Sequence, residues 1–446
     1  MNAISQAWGN YLERLHHQDF CVSTGRVTKV SSLVIEASGV RGFIGDLCRI
    51  QNPARRSTPC LAEVVGLRGK TTLLMPYGET KGISLDSEVL ALGNAATVKV
   101  GNGLMGRVID PFGKPLDSKP LYLTDTMPLR GAAHNPLDRA PIIEVLETGI
   151  QAIDTFLPLG KGQRVGIFAG SGVGKTTLLG MIAKHSTAQV NVIALIGERG
   201  REVRDFIDHT LDSETLARSI VVVATSDQPA LVRELAAHTA TAIAEYFCAQ
   251  SKQVLLIMDS VTRFAMAHRE IGLAAGEPAT ARGYTPSAFA ALPKLLERAG
   301  NFTNKGSITG IYTVLVEGDD LHEPVSDNMR AILDGHIVLS RELANHGHYP
   351  AIDLLASISR LSSELWSDKE RQLVRKLLRL MSVYARHQDM IEIGAYKAGS
   401  NAELDQAILL YPLIEKFLTQ DIDAIQPREQ QFRQLAAIAE QVGIAL

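Results

Sequence analysis

Eight residues limit the fold of this 446-residue chain more than any others: Ala169-Gly170-Ser171-Gly172-Val173-Gly174-Lys175-Thr176, directly after the apolar run Arg164–Phe168. A glycine-rich turn between an apolar strand and a helix start lets backbone N–H groups converge on an anion at the positive end of the helix dipole. That is the context of a phosphate-binding loop, and it commits the chain to an α/β layer structure. Ala169 stands where the common pattern has its first glycine, and the remaining glycines still allow the backbone close to phosphate oxygens. Gly170, Ser171, Gly172, Val173, Gly174, Lys175, Thr176 and Thr177 are the expected nucleotide-binding residues. Lys175 is placed for the β- and γ-phosphates and the Thr176 hydroxyl for Mg²⁺. Alone, the loop specifies nucleotide binding and leaves the reaction open.

Beyond Gly160, apolar runs alternate with helix-length stretches: Arg164–Phe168, Val192–Ile196, Ile220–Ala224, Val254–Met258, Ile311–Val316 and His336–Leu339. Continuous apolar runs of this kind predict strands buried on both faces, hence a parallel sheet with helices on each side. Two carboxylates fall at the ends of such runs. Asp259 follows Val254–Met258 and is placed to hold Mg²⁺ through its water shell, while Arg263, one helical turn on, is placed to touch the γ-phosphate or organise that shell. A lone Asp at a strand end is usually a helix cap, so the upstream loop gives Asp259 its weight. Glu198 follows Val192–Ile196; a strand adjacent to that of the phosphate loop would set it beside the phosphates, able to accept a hydrogen bond from the attacking water. The competing reading of Glu198 is a structural ion pair with Arg199 or Arg201.

Flanking segments read as further domains. Residues 19–93 hold short β-rich runs such as Leu33–Ile35, Ala62–Val65 and Thr71–Met75, ended by Gly or Pro, which predicts a small β-barrel. Gly106–Pro115 is dense in Gly and Pro and reads as turns joining two domains, so residues 94–345 would be the nucleotide-binding domain with its entry linker. Past Arg360 the stripes Leu373, Leu377, Leu380 and Ala407, Leu410, Ile414, Leu418 predict packed helices, giving residues 346–446 a nucleotide-contacting loop and a C-terminal helical domain. Arg371, Arg375, Lys376 and Arg379 read as its solvated face. In residues 1–18, Ile4, Trp8, Tyr11, Leu12 and Leu15 share one face of a short helix, suited to packing on the next domain or to a partner's groove.

Lys+Arg 45 against Asp+Glu 48 gives a net charge of −3. After Cys21 the barrel segment has only Phe43 and Tyr77 as aromatics. An RNA translocase would need a basic, aromatic-rich barrel, so no nucleic-acid partner is expected. The 4 cysteines show no CxxC pair, which suggests neither a zinc knuckle nor a disulfide framework and fits a reducing cytoplasm. No run approaches the roughly 18–20 apolar residues of a membrane span, and a soluble protein is expected.

With its three sites in order, the chain resembles the rotary-type ATPase superfamily and, within it, the flagellar and type III secretion export ATPases. The resemblance covers nearly the whole chain and is carried by Gly106–Pro115, Arg139–Lys175, Ile196–Val203, Ile257–Phe264 and Gly347–Arg360. It implies a Mg²⁺-dependent ATP hydrolase in which Lys175, Glu198, Arg263 and Arg360 are catalytic, Thr176 and Asp259 hold the metal, and Tyr349 stacks on adenine. Arg360 would be an arginine finger for the neighbouring subunit, which implies a homohexameric ring with interfacial sites. The resemblance further implies export of flagellar proteins through a type III secretion apparatus by a cytoplasmic protein peripherally associated with the inner-membrane export apparatus. Its implied partners are a negative regulator with a stator-like role on residues 1–18, a coiled-coil stalk protein in the ring pore, an export gate at the membrane, and export chaperones and substrates. Ser260 after Asp259 and the lack of a DELSEED-type turn separate it from the catalytic β subunits of ATP synthases. Val316–Asp320 and Gly394–Ser400 look more like the flagellar than the virulence-type branch. Thr285 and Ala288 stand where the family commonly has Pro and Val, which bears on the subgroup and leaves the catalytic positions untouched.

Overall fold

The computed structural model describes residues 22–444 apart from 32, 53–57, 132–133, 317, 319 and 322. The Ile4–Leu15 stripe lies outside the described residues. The chain divides into two compact units, Met1–Ala96 with Glu270–Pro278 and Thr97–Arg269 with Ala279–Leu446.

The first unit contains the expected barrel. Strands β1 (Thr24–Val30), β2 (Ile35–Ser38), β3 (Asp46–Gln51), β4 (Cys60–Arg68), β5 (Thr71–Pro76) and β6 (Glu88–Ala95) close in the order β1-β2-β5-β4-β3-β6. Every pairing in it is antiparallel. Alternate residues point inward, so Val27, Ile35, Ala37, Cys48, Ile50, Ala62, Val64, Leu74 and Val89 share one small core. Gly25 permits the tight crossing of β1 over the end of β2: a Cβ there would lie 2.5 Å from Ser38 O and Val40 N.

In the second unit, β7 (Thr97–Val100) pairs with β9 (Asp125–Pro128), and β10 (Val145–Leu146) with β11 (Leu159–Gly160). The main sheet is built from β8 (Arg107–Ile109), β12 (Arg164–Ala169), β13 (Val190–Glu198), β14 (Ser219–Thr225), β15 (Gln253–Asp259), β17 (Ser307–Leu315), β18 (Gly335–Leu339) and β19 (Ile352–Ser359). Their order is β19-β18-β12-β17-β15-β13-β14-β8, with β16 (Gly300–Asn301) paired to β17 off that path. All six expected runs are strands, and β12, β17, β15, β13 and β14 run parallel. The sheet is mixed rather than wholly parallel, because β19 returns antiparallel to β18 and β16 antiparallel to β17.

Gly106–Pro115 corrects the expectation of turns alone. Arg107–Ile109 is an edge strand of the main sheet, parallel to β14, because its Gly and Pro flank the short run Arg107-Val108-Ile109 without interrupting it. Only the remainder is a turn, held by Asp110 Oδ1 accepting from the N–H groups of Phe112 and Lys114 at 2.9 and 2.8 Å. Arg107 is satisfied by a two-pronged pair with Asp117 at 2.6 and 2.7 Å.

The helices Asp368–Glu392, Ala402–Leu418 and Arg428–Gln441 follow. Both expected stripes are buried, while Arg375, Lys376 and Arg379 are exposed and Arg371 is half-buried. Ser367 and Glu370 form a capping box at the first helix's start. Leu373, Leu377, Leu410 and Ile414 belong to the same apolar core as Ile167, Ile193 and Ile257 of the sheet.

Candidate active site

β12 ends at Ala169 and the helix Lys175–His185 begins at its N-cap Gly174. Between them the loop turns with Gly172 at φ +79° and Gly174 at +87°, a left-handed geometry that only glycine adopts without strain. The loop borders a cleft of about 590 Å³ lined also by Glu198, Glu202, Arg263, Glu323 and Arg341. It lies at the carboxyl ends of the parallel strands, where open α/β sheets bind ligands. Gly170, Ser171, Gly172, Gly174, Lys175, Thr176 and Thr177 all face it. Val173 turns its side chain into the core, so it offers the site its backbone only. A larger groove of about 1350 Å³ on the barrel unit, along Arg41, Phe43 and Lys70, carries none of the phosphate-binding elements.

Lys175 Nζ joins the two predicted carboxylates. It contacts Asp259 Oδ1 and lies 3.6 Å from Glu198 Oε1. Asp259 is nearly fully buried and accepts a second hydrogen bond from Thr313 Oγ1 at 2.6 Å. Glu198 arrives by an unexpected route. β13 is not adjacent to β12, since β17 and β15 lie between them, and Glu198 reaches Lys175 because it ends the strand next to that of Asp259. Arg199 and Arg201 pair instead with Glu202 and Asp205. Burial chiefly, and then the Asp259 charge, push the Glu198 carboxyl up to about 7 against the opposing pull of Lys175.

Arg263 also lines the cleft. Its Nε is shut from solvent with no hydrogen-bond partner among the described residues, a buried donor left unpaired behind the part of the side chain that lines the cleft. Arg341 was not foreseen; its Nη1 donates to Ser171 O at 3.1 Å and braces the loop. Thr313 was not foreseen either, because its partner Asp259 is 54 residues away and nothing local in the sequence links them.

Tyr349 stands against the loop, its ring 3.3 Å from where a Cβ on Gly174 would be, and is 44% exposed. Arg360 does not share this cleft. It follows β19, whose antiparallel return carries it to the start of β18 and β12: its N–H donates to Asp334 O at 3.0 Å, and Asp334 N–H donates to Arg164 O at 2.9 Å. The length of β12, about 17 Å, separates that end from the phosphate loop.

Phosphate cradle, buried carboxylates and bridging lysine define a P-loop nucleoside triphosphatase. Residues 149–359 match the nucleotide-binding domain of the ATP synthase alpha/beta family, residues 27–93 the beta-barrel domain of that family, and residues 366–437 the T3SS EscN ATPase C-terminal domain. The flagellum-specific ATP synthase of Bacillus subtilis (strain 168) is 54% identical over 400 residues, covering 90% of this chain and 91% of that protein. The assembled ATPase EscN from the enteropathogenic E. coli type III secretion system superposes with a TM-score of 0.88 at 42% identity, covering 93% of this chain and 99% of that one. EscN in complex with its central stalk EscO gives 0.85 at 42% identity, with coverage of 93% and 99%. The chain belongs to the ATP synthase alpha/beta family, in its branch of flagellar and type III secretion ATPases.

Proposed function

We propose that this protein hydrolyses Mg-ATP to energise export of flagellar proteins through a type III secretion apparatus, with each site completed at a subunit interface of a homohexameric ring. The observation that carries the reading is the split between the two ends of the sheet: the phosphate loop, Lys175 and Glu198 at one, Arg360 at the other. In one chain these residues are too far apart to meet, whereas in a head-to-tail ring Arg360 of one copy faces the next copy's cleft. An arginine in that position stabilises transition-state charge by on the order of 10³–10⁵ in rate.

Within the cleft, the loop N–H groups and Lys175 bind and orient the phosphates, and Arg263 contacts the outermost one. Glu198, when ionised, accepts a hydrogen bond from the attacking water and aligns it. Among the described residues no group of three or more His, Cys, Asp or Glu could hold a metal ion by itself. Thr176 and Asp259 fit Mg²⁺, which takes one or two protein ligands and the rest from phosphate and water; when bound, it neutralises charge developing on the phosphate oxygens. Tyr349 stacks on the adenine.

The similarity to the B. subtilis protein favours the flagellar branch, and the EscN–EscO likeness supports a central stalk partner. A negative regulator at residues 1–18, the export gate, chaperones and substrates complete the proposed partners. Among the described residues no helix is long and apolar enough to cross a membrane. The likeness to ATPases of type III secretion systems supports a cytoplasmic protein held peripherally at the export apparatus. The test is ATP turnover per subunit against protein concentration, for the wild type, for Arg360→Ala, and for that variant mixed with Glu198→Gln. Turnover that rises with concentration, together with partial rescue in the mixture, is expected. A concentration-independent rate with Arg360→Ala fully active would remove the shared site.

A further inference from the structure

The loop Thr419–Ala424, which follows the helix Ala402–Leu418, grips the nucleotide site from behind. Gln420 N–H donates to Tyr349 O at 2.9 Å, and Thr419 Oγ1 lies 3.2 Å from Nδ1 of the buried His348. Two consecutive residues of the loop thus hold the two consecutive residues that present the aromatic ring. Gln420 is itself 7% exposed, and its amide is fully engaged. Oε1 accepts from Gln151 N–H at 2.9 Å, and Nε2 donates to Gly149 O at 2.7 Å and to Ala424 O at 2.6 Å. Farther along, Ile422 O lies 2.9 Å from His185 Nε2 and Asp423 Oδ1 2.7 Å from Lys184 Nζ, at the far end of the phosphate-loop helix. Among the described residues the Tyr349 hydroxyl has no hydrogen-bond partner, so the ring is aimed by the backbone and packing of its own segment.

We propose that Gln420 is a positioning residue for base binding, which pins the Tyr349 segment to Gly149–Gln151 of the core and makes affinity for the base depend on how the C-terminal helices are seated. The inference rests on the base-stacking reading of Tyr349. The backbone N–H of Gln420 holds Tyr349 O, and its buried side-chain amide anchors that backbone to Gly149–Gln151; an apolar side chain would orphan Gln151 N–H and Gly149 O and free the loop that carries the Tyr349 contact. The loss should therefore fall on the segment it holds.

The test uses the full-length protein and equilibrium binding of two probes, ATP and inorganic tripolyphosphate, which presents phosphates without a base. Base–aromatic stacking is worth about 1–3 kcal/mol, so Tyr349→Ala should weaken ATP roughly 5- to 150-fold. Gln420→Met, which keeps the shape and removes the hydrogen bonds, should weaken ATP by about fivefold or more and leave tripolyphosphate unchanged. The double variant should bind ATP no more weakly than Tyr349→Ala alone. Unaltered ATP affinity in Gln420→Met, losses that multiply in the double variant, or an equal loss for tripolyphosphate would each overturn the proposal. If Tyr349→Ala leaves ATP unaffected, the stacking reading itself falls. Should Gln420→Met fail to fold, Thr419→Val removes the His348 link on the surface side of the loop and must show the same base-dependent loss.

Discussion

Glu198 sits where two demands on a carboxylate conflict. In the proposed role it must be ionised to align water, yet burial and the Asp259 charge raise it to about 7. Activity therefore needs the proton gone, and kcat/KM should rise with pH through about 7 before it levels. Glu198→Gln should cost about 10²–10⁴-fold in kcat with ATP binding retained, and should abolish that limb of the profile. Stability runs the other way. A folded carboxyl above its unfolded value of 4.5 binds a proton more readily than the unfolded chain does, so its contribution is full below that value and is lost as pH rises through about 7. Thermal melting of Glu198→Gln should accordingly exceed that of the wild type above pH 7 and converge with it in acid. Equal melting points at all pH values would mean that the burial of Glu198 carries no stability cost.

At the scale of elements, the phosphate loop shows how a backbone conformation and a neighbouring ring constrain the same position. Gly174 combines φ +87° with the Tyr349 ring 3.3 Å from its missing Cβ. Gly174→Ala should introduce about 1–2 kcal/mol of backbone strain and displace the ring, weakening ATP binding in a titration more than it lowers the melting point. Near the start of the helix Gln151–Phe156, Asp154 accepts three hydrogen bonds at 2.8 Å, from Thr148 N–H, Thr148 Oγ1 and Gly149 N–H. Asp154→Asn turns an NH₂ toward one of these donors and should cost about 1–3 kcal/mol in denaturant unfolding. These elements were legible to different degrees. The strands around the site were plain because Val254–Met258 or Val192–Ile196 can only be buried on both faces, and the loop was plain because its glycines sit at fixed offsets from Lys175. Strand β8 was hidden by its Gly and Pro neighbours. Strand order was also hidden, so Glu198 was expected on a strand adjacent to β12 and came instead from the one beyond β15. Thr313, Arg341 and Gln420 left no signal, since each acts through a hydrogen bond to a residue far away in sequence.

Across the whole molecule, the C-terminal helices are not an appendage, because Leu377 and Ile414 lie in one core with the sheet. Leu377→Ala, at a fully buried position, should cost about 2–5 kcal/mol. It should lower the melting of the nucleotide domain and the helices together, seen as coincident loss of nucleotide protection and of helical signal. Separate transitions would mean that the helices unfold independently. The last consequence comes from the antiparallel return of β19. By reversing one edge strand, the fold sets Arg360 and the phosphate cleft at opposite ends of the sheet. Copies related by a two-fold axis would pair like with like, whereas a head-to-tail contact repeats, and closes into a ring where its rotation divides the circle. Around the proposed ring, a copy that lacks Arg360 keeps its own cleft and silences the next one, always on the same side.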